Sequence, residues 1–136
     1  MSLTETYQYN GQGYYPFLIR EGWQVAQLNY VEDRRPENIK SLEVHHLTDK
    51  AFMLIHGSAL LVSAEINAEN ITYSMIHMNS GILYNIPKKV WHTVALKEET
   101  KVLIIEKDKT HLEDSELYDL NDKQYKQFLQ EIHKIW

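Results

Sequence analysis

The sequence predicts an all-β fold, an antiparallel barrel or sandwich carrying one C-terminal α-helix. Two observations lead there. Between residues 23 and 106 the chain breaks into short runs rich in Val, Ile, Leu, Tyr, Phe and Trp, bounded by Gly, Asn, Pro or charged clusters; that is the pattern of short strands joined by turns. Only the last segment changes period: Tyr125, Phe128, Leu129, Ile132 and Trp136 fall at helical spacing. A length of 136 residues fits one domain with a sizeable core. Its expected parts are a β core over about 23–106, a charged connector over 107–120 and a helix over 121–136.

Residues 1 to 22 are rich in Tyr, Gly, Asn and Gln, with turn signals at Asn10-Gly11 and Gln12-Gly13. They read as cover for a sheet. Trp23 to Tyr30 alternates weakly and reads as the first strand, and Pro36 in a charged stretch marks a loop after it. Seven further strands are expected: Ile39–His46, Ala51–His56, Ala59–Ile66, Ile71–Met78, Ile82–Ile86, Trp91–Leu96 and Lys101–Glu106. The charge-dense Glu106–Glu116 reads as a solvated connector. Asn121 is a candidate N-cap, with Gln124 three residues later completing a capping box. The helix is expected to lay its apolar face on the β core or on a partner subunit.

Charge and composition narrow the partners. A net charge of −5 argues against nucleic acid, whose binding rests on clustered Lys and Arg. No apolar run approaches the roughly 18 residues that span a bilayer, and no leader pattern opens the chain. There is no cysteine, so disulfides, thiolate metal sites and cysteine nucleophiles are excluded. A cytoplasmic protein without a membrane partner is the expectation.

Side chains alternate faces along a strand, so Glu43 and His45 share one face while Leu42 and Val44 share the other. Both faces of that strand are therefore occupied, and either another strand or a second subunit must cover the aliphatic one. Together with the Tyr-rich N-terminal segment, this predicts a homodimer. After Pro87, Trp91 and His92 enter a strand in which Val94 and Leu96 share the face of His92.

Glu43-Val44-His45 running on to Lys50 and Gly57, and Gly81 running on to Pro87 and His92, are similar to the two motifs of the cupin superfamily. The resemblance implies a jelly roll, or double-stranded β-helix, with a small-molecule site inside and commonly a dimer. Two of the four metal-ligand positions depart from the pattern: Glu43 stands where His is usual and Lys50 where Glu is usual. Lys89 replaces a usual Gly, which predicts a turn without positive φ.

Two chemistries follow from that set. Glu43, His45 and His92 form a two-His, one-carboxylate group suited to a divalent ion such as Zn, Ni, Mn or Fe. Lys50 brings the wrong charge to the fourth position, so such an ion is expected to bind weakly or not at all. Alternatively Lys50 holds an anionic substrate group while Glu43, His45 and His92 act as acid and base. Its bland reading is a solvated residue at a strand start. Phe52, Tyr84 and Val94 are the expected pocket lining. His46, His56, His77, His111 and His133 match no motif and read as structural or exposed.

Residues 42 to 52, and Gly81 through His92, are also similar to segments of ureidoglycolate lyases, which split ureidoglycolate into glyoxylate and urea. Position 50 in that branch is an amide and Pro87 is missing from it, whereas small generic cupins share Pro87. Two classes of function follow. One is a lyase, hydrolase or isomerase acting on a small polar anion; the other is a non-catalytic cupin binding a sugar or small acid at a degenerate metal site.

Overall fold

The computed structural model describes residues 2–136. Ten strands form two five-stranded antiparallel sheets. The strands are β1 (Gly13–Arg20), β2 (Trp23–Asn29), β3 (Ser41–Val44), β4 (Lys50–His56), β5 (Ala59–Asn67), β6 (Asn70–His77), β7 (Leu83–Ile86), β8 (Trp91–Leu96), β9 (Lys101–Glu106) and β10 (Glu116–Asp119). One sheet runs β1-β2-β9-β4-β7 and the other β10-β3-β8-β5-β6. The helices are a single turn, α1 (Thr110–Glu113), and α2 (Asp122–His133).

Strand β5 shows why the two sheets meet as they do. Its run Ala59-Leu60-Leu61-Val62 is buried throughout, so it needs cover on both faces. Ala59 and Leu61 join the inter-sheet core with Ala26, Phe52, Leu54, Val94 and Ile104. Leu60 and Val62 point outward and are covered by Phe128 and Ile132 of α2. The helix therefore packs on this chain's own sheet, behind the expected capping box of Asn121 and Gln124. Burying an aliphatic side chain of this kind contributes roughly 1.5–3 kcal/mol, so α2 stabilises the sheet as well as itself.

Three expectations are corrected. The chain before Trp23 was expected to lack a strand, yet β1 forms a hairpin with β2 across Gly22. Pro16 sits where the register shifts between Tyr15 and Leu18, and β1 is an edge strand; a bulge on an edge is where a sheet tolerates proline. The connector is not merely solvated, since it contains α1 and β10, and β10 pairs with β3. Lys89 does adopt positive φ, +69°. The turn keeps the geometry of the usual glycine without the glycine.

The aliphatic face of β3 is covered within the chain. Leu42 is fully buried among Ala64, Ile71, Trp91 and Tyr118, so it gives no reason for a second subunit. Among the described residues no helix is long and apolar enough to cross a membrane.

Candidate active site

Between the sheets lies a cavity of about 430 Å³ whose lining includes Glu43, His45, Lys50, His92, Phe52 and Val94. Backbone pairing assembles it. Glu43 of β3 lies directly opposite His92 of β8, and alternation carries His45 and Val94 to the same interior. Lys50 comes from the other sheet, where it faces both Ile86 and Glu106. Its ammonium crosses the gap to donate to Glu43 Oε1 at 3.2 Å. Lys50 is 12% exposed in its side chain, so it is an interior cation and not a solvated strand start. Tyr84 does not belong to the lining. Its ring packs against the inter-sheet core and its hydroxyl accepts the Asn79 N–H.

Both imidazoles are held in a defined tautomer. His92 Nδ1 lies 3.0 Å from the Val90 carbonyl, and His45 Nδ1 contacts the Asp114 carbonyl. A carbonyl can only accept, so each Nδ1 carries a proton, and each Nε2 presents a lone pair when its ring is neutral and a proton when it is charged. Both Nε2 atoms are buried without a hydrogen-bond partner. They face the same oxygen, Glu43 Oε1, at 3.3 Å from His45 and 3.7 Å from His92. Lone pairs directed at a carboxylate repel it unless a proton or cation lies between. The geometry therefore asks for positive charge at this point.

The ionisations follow from these contacts. Burial pushes Glu43 up, but His45, Lys50 and the Ser115 hydroxyl outweigh it and hold the carboxyl well below the usual range. Burial likewise pulls His45 toward the neutral form, yet Glu43 and the Asp114 carbonyl raise it on balance. His92, more deeply desolvated and beside Lys50, is pushed down to about 4. One ring is thus favoured in its charged form and the other held neutral.

Several lining residues carried no sequence signal. Arg34, in a short 3-10 turn, reaches the cavity and makes only a long 3.4 Å contact to Thr93 Oγ1. Ser115 donates to Glu43 Oε2 at 2.6 Å. The carboxylate of Asp114 accepts the backbone N–H groups of His46 and Leu47, which fixes the loop after His45. Tyr14, Glu106 and His111 also line the cavity, where His111 packs on the Tyr14 ring and contacts Gln24, within the structural role expected of it. Burial raises the Glu106 carboxyl. The residues of the connector became legible only once β10 had paired with β3.

The donor set fits a divalent cation on this structure's own geometry. Glu43, His45 and His92 offer ligand atoms within 4.8 Å of one another, and the two imidazole nitrogens are orphaned and buried. Backbone anchoring of the second ring nitrogen is what orients metal-ligating histidines. Lys50 opposes such an ion and already occupies Glu43 Oε1.

No family model matches the chain. It is 26% identical over 92 residues to an acireductone dioxygenase of Bacillus subtilis (strain 168), covering 63% of this chain and 49% of that protein. The chain thus spans about half the length of the curated relative it matches. Among solved structures it is similar to the nucleoside dehydratase Pac13, with a TM-score of 0.57 and 7% identity over 85% of this chain and 86% of the other. A cupin superfamily protein from Desulfitobacterium hafniense aligns with a TM-score of 0.51 and 15% identity, over 74% of this chain and 81% of that one. The TDP-quinovose 3,4-ketoisomerase WlaRB of Campylobacter jejuni gives a TM-score of 0.51 and 19% identity, over 78% and 73%.

Proposed function

We propose that this chain, whose fold is that of the cupin superfamily, is an enzyme of lyase, hydrolase or isomerase type. It works by acid–base chemistry on a small polar anion held between the sheets. One observation carries the reading: two buried, unpartnered imidazole Nε2 atoms converge on Glu43 in a cavity that also contains a lightly bonded guanidinium, Arg34. The rings are arranged to move protons, and the guanidinium is free to grip a carboxylate with two parallel N–H donors. Neighbours of this fold include a dehydratase and a ketoisomerase, whose names describe proton-moving reactions.

In this reading His92, neutral with its lone pair inward, takes a proton from the substrate. His45, charged beside Glu43, returns one to the leaving atom. Glu43 stabilises whichever ring is protonated, and Lys50 keeps Glu43 ionised. Ureidoglycolate is the first substrate to assay, on the resemblance of residues 42 to 52 and 81 to 92. Loss of its hydroxyl proton to the base forms the new C=O bond as the C–N bond breaks. Protonation of the departing nitrogen by the acid completes urea and leaves glyoxylate.

A second reading uses the same donors for a divalent ion, Zn, Ni, Mn or Fe, held by Glu43, His45 and His92. When bound, such an ion acts as a Lewis acid on a substrate oxygen. Lys50 works against it, so Lys50→Glu should raise Zn affinity by at least tenfold over the wild type. Elemental analysis of the purified protein separates the readings; stoichiometric metal in the wild type would favour the second.

The test of the main reading joins binding to turnover. Calorimetric titration with glyoxylate should show binding that Arg34→Gln weakens about tenfold. Release of glyoxylate from ureidoglycolate or related ureido and hydroxy acids should drop at least a hundredfold in His92→Asn. Anion binding without turnover of any such acid would establish the non-catalytic alternative. An Arg34→Gln protein that binds glyoxylate as well as wild type would remove the anion site altogether.

A further inference from the structure

The cavity contains a second carboxylate that the acid–base group does not use. Glu106, at the end of β9, is 5% exposed, and its Oε2 is buried with no hydrogen-bond partner. Lys50 lies directly across from it on β4, the natural place for an ion pair. The Lys50 ammonium instead turns to Glu43, and among the described residues Glu106 has no ion pair within 4.0 Å. A buried acceptor without a donor is costly, about 1–3 kcal/mol. Its persistence in a cavity lining points to a donor that arrives from outside the protein.

The surroundings are built to hold that end of the cavity in shape. Gln24 of β2, fully buried, lies opposite Glu106 in the sheet. Its amide donates to the Tyr14 hydroxyl at 2.9 Å and contacts His111 Nδ1 at 3.1 Å, while its oxygen accepts the Lys109 N–H. The Tyr14 and His111 rings lie against each other, with centroids 5.6 Å apart. One amide thus fixes both side chains that flank Glu106. Arg34 stands on the opposite side: Glu106 belongs to the sheet of β2 and β4, whereas Arg34 contacts Thr93 of β8.

We propose that Glu106 is a specificity-determining residue that accepts an N–H or O–H donor at the distal end of the substrate. The ligand is then two-headed, with an anionic group at Arg34 and a hydrogen-bond donor, such as a ureido or amide N–H, at Glu106. This rests on the proposed anion site and extends it from "small polar anion" to an anion bearing a donor at its far end. A site built to accept a donor rejects an analogue that lacks one, because the buried acceptor is left unpaired.

The test uses two unreactive probes with the same carboxylate. N-carbamoylglycine carries distal N–H donors, and monomethyl succinate carries a distal ester with acceptors only. Calorimetry on the wild type should show N-carbamoylglycine binding about tenfold or more tighter. Glu106→Leu, which removes the acceptor, should reduce that preference to within about twofold, and Glu106→Gln, which keeps a neutral acceptor oxygen, should reduce it less, both leaving the ester's affinity near wild type. Arg34→Gln should weaken both probes alike. The second Glu106 variant guards against a folding defect in the first, and retained ester binding shows that each is folded. A wild type without preference, or a preference that survives both Glu106 variants, overturns this inference and leaves the anion site standing. Failure of both probes to bind the wild type overturns the anion site itself, and the inference with it.

Discussion

Replacing Lys50 with Met isolates the charge that spans the two sheets, because Met retains most of the apolar stem. The ammonium lies 3.2 Å from Glu43 Oε1. At an effective dielectric of about 20 that separation corresponds to a gross attraction of about 5 kcal/mol. Desolvation of the buried ammonium offsets much of it, and Glu43, with its side chain 32% exposed, is partly screened. Glu43 also keeps Ser115 as a donor. The net loss expected for Lys50→Met is about 2 kcal/mol at pH 7, read by urea unfolding. The pH dependence follows from Glu43, whose folded-state carboxyl is held below its ordinary value. Such a group contributes stability that is present above the unfolded pKa and lost as pH falls through the folded one. The gap between wild type and variant should therefore be widest at neutral to mildly alkaline pH and narrow as pH falls, first as His45 and His92, both lowered by Lys50, take up protons and then as Glu43 does. A variant as stable as wild type at pH 7, with parallel pH profiles, would show that Lys50 is idle and leave His45 and Ser115 alone to hold Glu43 ionised.

Three other outcomes are expected. Gly57 and Gly81 both hold positive φ, but a Cβ at Gly57 would meet Thr100 Oγ1 at 2.4 Å and Thr100 Cα at 2.6 Å, whereas Gly81 has nothing within 4 Å. Urea unfolding should show Gly57→Ala losing about 3 kcal/mol or more and Gly81→Ala about 1 kcal/mol; equal losses would mean φ alone governs both. Asp114→Ala removes the acceptor of two N–H groups after His45 and should cost about 1–2 kcal/mol, with increased hydrogen exchange at His46 and Leu47 as the confirming sign. The homodimer is now expected through the outer face of the β1–β7 sheet, where exposed Ile105 lies in register with Val25 and Ala51, and Leu83 with Met53. Light scattering should give a dimer at micromolar concentration and a monomer for Ile105→Asp, and a monomeric wild type refutes it.

The sequence by itself determined the β core and the place of most of its strands, because local alternation and turn residues decide both. It also determined α2, whose capping box and helical period are local signals, and the common face of Glu43 and His45. What it could not determine depended on pairing between distant segments. β1 was hidden by Pro16, which a bulge on an edge strand accommodates, and β10 by the charge of a segment that has meaning only beside β3. The same pairing decided the site. Asp114 and Ser115 approach His45 and Glu43 across about seventy residues of sequence, and Arg34 enters the cavity from a 3-10 turn while Glu106 enters it from β9. Lys50 could be read as a solvated residue or an interior cation from its own neighbourhood alone. Only the closure of one sheet over the other removed water from its ammonium and set Glu43 as its partner.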